Sequence, residues 1–182
     1  ADGRVYTAAV DEHRVCALDA KDGRIVWTFT AGGRVDTPPT LHRGLALFGS
    51  ADGWLYALRA SDGALAWRFR AAPHDARIVA FGRLESPWPL HGAVLIHDGL
   101  AYVAAGRSTH LDGGIKVYAI EPATGKVVRE LRPLNSDPHG LDDVLVSDGR
   151  LVFKRHLAFS LGGEAPKPPE KGKGKGKGRA HA

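Results

Sequence analysis

Three short stretches of this 182-residue chain gather side chains that could do chemistry. Asp36-Thr37 is the first, Glu85-Ser86-Pro87-Trp88 the second, and His139 with Asp142-Asp143 the third. Each stands ahead of a short apolar run: Thr40 to His42, Ala93 to His97 and Asp143 to Ser147. Carboxylates, an imidazole and an indole converging on one mouth could bind a small polar ligand or a cation. The same residues could equally cap strand ends and line solvated turns. A fourth group, Arg107, Ser108, Thr109, His110 and Asp112, lies in a longer polar stretch, either a tolerated insertion or a contact for a ligand or partner.

Nothing in the spacing sharpens these groups into a catalytic set. No His-x-x-His or Glu-x-x-His pair is present, and the nine histidines are scattered singly. The one cysteine, Cys16, can form neither an intrachain disulfide nor a cysteine-based zinc site. Set in Val15-Cys16-Ala17-Leu18, it reads as a small buried hydrophobe. No catalytic residue and no metal ligand is assigned.

The elements that must position these residues come from a repeat. Residues 15–29 read VCALDAKDGRIVWTF and residues 55–69 read LYALRASDGALAWRF. Ala17, Leu18, Ala20, Asp22, Gly23, Trp27 and Phe29 all recur 40 residues later. A weaker copy runs from Val117 to Leu131, with Arg129 in the tryptophan position. Turn pairs divide each unit: Asp2-Gly3, Arg43-Gly44, Asp98-Gly99 and Asp148-Gly149 each precede an apolar run, and Asp52-Gly53 separates two more. Asp22-Gly23, Asp62-Gly63 and Thr124-Gly125 close the next hairpin. Four short antiparallel strands at a period of about 40 residues make a β-propeller blade.

The expected fold is therefore all-β: a β-propeller segment of about three and a half four-stranded antiparallel blades, an incomplete ring. The blades are placed at residues 3–31, 37–71, 91–132 and, in part, 142–160, within a repeat region 1–163. Such a segment needs further blades to close, so the chain reads as a piece of a longer protein. Its start at Ala1 and its lack of methionine fit that reading, and no signal peptide is visible. A symmetric dimer completing one ring is the other way to cover the open ends.

Composition excludes some classes of function. The net charge is +5, but residues 164–182 hold five lysines and one arginine against two glutamates, which leaves the body near neutral. Nucleic-acid binding by the folded part has no electrostatic support. The Pro/Lys/Gly-rich tail, 164–182, has no apolar residue larger than proline and is expected to be disordered. No run of about 18 apolar residues suggests a transmembrane helix.

Tyr56-Ala57-Leu58-x-Ala60-x-Asp62-Gly63-x-x-x-Trp67 resembles the repeat signature of the pyrroloquinoline-quinone-like β-propellers. That family includes quinoprotein alcohol dehydrogenases and the outer-membrane assembly lipoprotein BamB, and the resemblance covers residues 3–160. It implies that Trp27 and Trp67 dock neighbouring blades and that the protein acts outside the cytoplasm, in the periplasm or cell envelope. Three functions follow. The first is a non-catalytic binding or assembly scaffold with a protein partner. The second is a fragment of a quinone-dependent dehydrogenase using pyrroloquinoline quinone (PQQ) and calcium. The third is a propeller that binds a small polar ligand or cation through Asp36, Glu85, Trp88, Arg107, His110, Asp112, His139, Asp142 and Asp143. Calcium takes six to eight oxygen ligands, and the quinoprotein enzymes carry an adjacent cysteine pair, so the resemblance transfers the fold without the cofactor.

Overall fold

The computed structural model describes residues 2–80, 82–134 and 144–161. Four antiparallel sheets follow one another along the chain, each a simple meander. The first blade holds β1 (Arg4–Ala9), β2 (Arg14–Asp19) and β3 (Ile25–Thr30). The second holds β4 (Thr40–His42), β5 (Leu45–Gly49), β6 (Trp54–Arg59) and β7 (Leu65–Arg70). A two-stranded hairpin, β8 (Ile78–Ala80) and β9 (Arg83–Glu85), then intervenes. The third blade holds β10 (Leu95–His97), β11 (Leu100–Ala105), β12 (Lys116–Ile120) and β13 (Val127–Leu131). The fourth holds β14 (Leu145–Ser147), β15 (Leu151–Lys154) and β16 (Leu157–Ser160).

Local chemistry sets these boundaries. The β4–β5 and β10–β11 hairpins turn on Arg43-Gly44 and Asp98-Gly99, where both residues have positive φ, as the tightest hairpin turn requires. One strand later, Asp52-Gly53 departs from the simple turn read from its sequence. Only Gly53 has positive φ, and Asp52 is 4% exposed. Its carboxylate accepts from the Trp54 amide (3.0 Å) and from the Tyr56 hydroxyl (2.5 Å), so it anchors the loop from within.

Register carries the repeat into three dimensions. Cross-strand partners share a face of the sheet. Tyr6, Ala17 and Trp27 form one such row in the first blade, and Leu47, Ala57 and Trp67 form it in the second. Tyr102, Ala119 and Arg129 form it in the third. Each row turns toward the next blade. The adjoining rows, containing Leu58 and Ile120, turn back toward the preceding blade, where both side chains are fully buried. A bulge falls at the same place in all three blades, between Ala17 and Leu18, Ala57 and Leu58, and Ala119 and Ile120.

Three apolar layers therefore lie between blades. Val15, Trp27, Phe48, Tyr56 and Leu58 fill the first, and Leu47, Leu55, Val103, Tyr118 and Ile120 the second. Tyr102, Val117, Val152, Leu157 and Phe159 fill the third. Burying one such side chain contributes roughly 1.5–3 kcal/mol, so stacking is what stabilises sheets too small to stand alone. The tail from residue 164 lies outside the described residues, as does the start of the apolar run placed at Asp143.

Candidate functional site

The connections between blades carry Asp36, Glu85 and Trp88, and the β11–β12 loop within the third blade carries Arg107, His110 and Asp112. Arg34 and Asp36 follow β3, and Glu85, Ser86, Trp88 and His91 follow or end the β8–β9 hairpin. Folding brings the two connections together at the inner ends of the second and third blades. The Asp36 carboxylate lies 2.6 Å from Arg34 Nε and pairs with His91 Nδ1 through its other oxygen. Arg34 also faces Glu85, with Nη2 3.8 Å from Oε1. Glu85 is 1% exposed, and neither of its carboxylate oxygens has a hydrogen-bond donor among the described residues.

These contacts set the electrostatics. Burial works to raise the Asp36 carboxyl, but the hydrogen bond and charge of His91, joined by Arg34, outweigh it and hold the group below the usual carboxylate range. Asp36 is thus an ionised brace between the Arg34 guanidinium and the His91 ring. His91, 55 positions away, carries no sequence signal that would pair it with Asp36.

A second cluster forms around Trp88. Its indole N–H donates to the Asp112 carbonyl (2.7 Å), and the His74 ring meets its face edge-on at 4.6 Å. Arg107 Nη2 lies 2.9 Å from the Asp112 carboxylate, closing the long hairpin loop of the third blade on itself. The backbone amide of His110 donates to the Ser108 hydroxyl at 3.2 Å, within its own turn, and its side chain is exposed. The candidates thus separate into an Asp36–Glu85 pair sharing Arg34 and a Trp88–Asp112–Arg107 group. His139, Asp142 and Asp143 lie outside the described residues.

Trp27 and Trp67 occupy matching settings. The Trp27 indole donates to the Ala60 carbonyl (3.0 Å) and its ring covers Gly63, where an added Cβ would meet it at 2.6 Å. The Trp67 indole donates to the Pro122 carbonyl (2.9 Å) and covers Gly125 with the same 2.6 Å clearance. Arg129 holds the Leu161 carbonyl.

A feature that the sequence did not signal is the β8–β9 hairpin itself. It reaches across to the first blade, where Arg83 Nη2 lies 2.6 Å from Asp11. A cleft of about 560 Å³ opens beneath it, lined by Asp11, His13, Gly32, Arg77, Arg83 and Leu84. Val79 (78% exposed) and Leu84 (61%) stand out from the hairpin into solvent.

The donor set does not fit the quinone and calcium of the dehydrogenases. Asp36 is taken up by Arg34 and His91, and Glu85 faces Arg34. Among the described residues no group of three His, Cys, Asp or Glu side chains is placed to hold a metal ion. One cysteine cannot supply an adjacent pair.

Residues 1–164 match the sequence profile of a family described as outer membrane protein assembly factor BamB. The chain is 36% identical over 102 residues to the BamB of Moranella endobia (strain PCIT), covering 56% of this chain and 25% of that protein. It is 38% identical over 91 residues to the BamB of Yersinia pestis, covering 50% and 22%. The matches thus span about a quarter of the length of these relatives. Among solved structures, a quinohemoprotein alcohol dehydrogenase of Pseudomonas putida HK5 superposes with a TM-score of 0.59 at 24% identity, over 75% of this chain and 20% of the enzyme. That likeness is one of fold, an open run of propeller blades. With its repeat rows in register and the profile matched over all the described residues, the chain belongs to the outer membrane protein assembly factor BamB family.

Proposed function

We propose that the chain is part of a non-catalytic assembly scaffold that works in the bacterial cell envelope and binds a protein partner through its inter-blade connections. One observation carries this reading: the β8–β9 hairpin inserts between two regular blades and holds Val79 and Leu84 out in solvent. Loops on a rigid scaffold are where binding concentrates, and exposed apolar side chains on an insertion are contact material. Family membership supports the same reading, since both curated relatives are named as outer membrane protein assembly factors. No helix among the described residues is long and apolar enough to cross a membrane.

The test uses the full-length protein with Val79→Asp and Leu84→Asp. The yield of assembled outer membrane proteins is expected to fall while the circular dichroism of the variant stays unchanged. Undiminished yield in the folded variant removes the reading.

The second reading is the quinone-dependent dehydrogenase that the repeat signature also implies; the likeness to the Pseudomonas enzyme carries the fold and not that activity. Titrating the full-length protein with pyrroloquinoline quinone and calcium separates the two. A scaffold takes up no quinone, whereas quinone absorbance accompanied by dye reduction supports the enzyme.

A further inference from the structure

At the end of the blades that carries the β6–β7 and β12–β13 turns, one inter-blade gap is filled and the next is open. Between the first and second blades a guanidinium fills it. Arg4 Nη1 donates to the Ala60 carbonyl (2.9 Å) and to the Ser61 carbonyl (2.7 Å), and the Tyr6 hydroxyl also donates to Ala60 (3.0 Å). Ala60 in turn donates its amide to the Gly44 carbonyl (2.8 Å). The chain itself thus satisfies this turn.

Between the second and third blades the donors equivalent to Arg4, Tyr6 and Ala60 are all missing. Register places Leu45 where Arg4 stands and Leu47 where Tyr6 stands. Pro122 takes the place of Ala60, and Ala123 that of Ser61, since Gly125 and Gly63 close matching turns onto Glu121 (2.9 Å) and Arg59 (2.8 Å). Proline has no N–H, so the bond that Ala60 makes to Gly44 has no counterpart from Pro122 to Gly99. The Pro122 carbonyl keeps the Trp67 indole as its donor (2.9 Å). What remains is a cavity of about 150 Å³ whose walls include Arg43, Leu45, Gly99, Glu121, Pro122 and Ala123.

Charge points the same way. Glu121 stands where the first interface has Arg59, which pairs with Asp62 at 2.7 Å. The Thr124 hydroxyl donates to one Glu121 carboxylate oxygen (2.7 Å), and no described residue donates to the other. Carbonyl oxygens beside a carboxylate call for a cation that brings several N–H donors. Arg4 shows, at the matching place in the fold, that a guanidinium meets that demand. Arg43 opposes this charge, but its side chain is exposed on the β4–β5 turn, where solvent screens it.

We propose that this cavity is a binding seat for a guanidinium group brought from outside the chain, with the Gly99 and Ala123 carbonyls and the Glu121 carboxylate as its acceptors. The seat lies on different loops from the β8–β9 hairpin and does not rest on the scaffold reading. Its occupant is either the arginine side chain of a partner protein or a free guanidinium compound.

Backbone amide shifts of the isotope-labelled full-length protein test the proposal. The probes are a short blocked peptide with a central arginine, the same peptide with citrulline in that place, and ethylguanidinium. We expect saturable shifts at Leu45, Gly99 and Ala123 with the arginine peptide. Citrulline keeps the shape and loses the charge, so it should bind roughly tenfold more weakly. Glu121→Gln should weaken the arginine peptide to a similar degree. Leu45→Arg should abolish binding, because an internal guanidinium then occupies the seat as Arg4 does, with circular dichroism reporting the fold of each variant. If Leu45→Arg does not fold, the citrulline and Glu121→Gln arms still decide. A response to ethylguanidinium as strong as that to the peptide assigns the seat to free guanidinium compounds, and a response to the peptide alone assigns it to a partner's side chain. Equal binding of the citrulline peptide, binding that survives in folded Leu45→Arg, or no saturable shift at these residues would overturn the proposal. So would binding that appears only after Arg43→Ala, because that result gives the seat to Arg43.

Discussion

The Arg129 guanidinium donates to the Leu161 carbonyl, which stands in the same register as the Ala60 and Pro122 carbonyls held by Trp27 and Trp67. The third blade has thus exchanged an indole for a guanidinium and kept the donated hydrogen bond. What changes is the apolar part of the contact, since a guanidinium cannot cover the next turn as a bicyclic ring does. Arg129→Ala should leave that part-buried carbonyl without its donor and cost ~1–3 kcal/mol. Urea denaturation of variant and parent reads the difference, and an unchanged midpoint contradicts the role given to Arg129.

Asp52 should prove more sensitive than its Asp-Gly context suggests. Asp52→Ala removes the acceptor of the Tyr56 hydroxyl and the Trp54 amide inside a packed interface. The expected loss is ~2–4 kcal/mol, more than a surface turn residue would show. Thermal unfolding at neutral pH measures it.

The two interface tyrosines give an alkaline signature. Burial, then the hydrogen bond and charge of Asp52, push the Tyr56 hydroxyl well above its ordinary range. Burial and the charge of Glu130 push Tyr118 up to about 12. A folded-state pKa raised above the unfolded value stabilises below the unfolded value and is lost as pH rises through the folded one. Stability should therefore hold to about pH 10 and decline above it, and Tyr56→Phe should flatten the decline. Stability measured against pH, alongside ultraviolet titration of the phenols, checks both.

Asp36 carries the opposite sign. Its carboxyl is held below the usual range, so its contribution is present above the unfolded pKa of about 4 and lost as pH falls further. Asp36→Asn should be less stable than the parent at pH 6 to 7, with the gap closing in acid. A gap that stays constant across that range argues against the Arg34–Asp36–His91 brace.

How much of this was legible in the sequence depends on distance along the chain. Strands, turn pairs and the repeating rows depend on neighbours a few residues apart, and a 40-residue period shows them plainly. The partners Asp36 and His91 are 55 positions apart, and Trp88 and Asp112 are 24 apart. Both pairs meet because separate connections cross at the blade ends, a consequence of how sheets twist and stack. Asp52-Gly53 looked like a plain hairpin turn because composition cannot tell a solvated aspartate from a buried one. Arg129 stands in the tryptophan position of its repeat, and the sequence does not show the Leu161 carbonyl that it holds.

The central claim is that blades repeat one contact, an aromatic ring laid over a turn glycine, at Gly63 and Gly125, whereas no ring among the described residues covers Gly23. Proton chemical shifts of the glycine α-hydrogens in the 182-residue chain test this directly. Gly63 and Gly125 should be displaced upfield by the ring currents of Trp27 and Trp67, while Gly23 stays near its ordinary position. Similar shifts at all three glycines, or displacement at Gly23 alone, would contradict it.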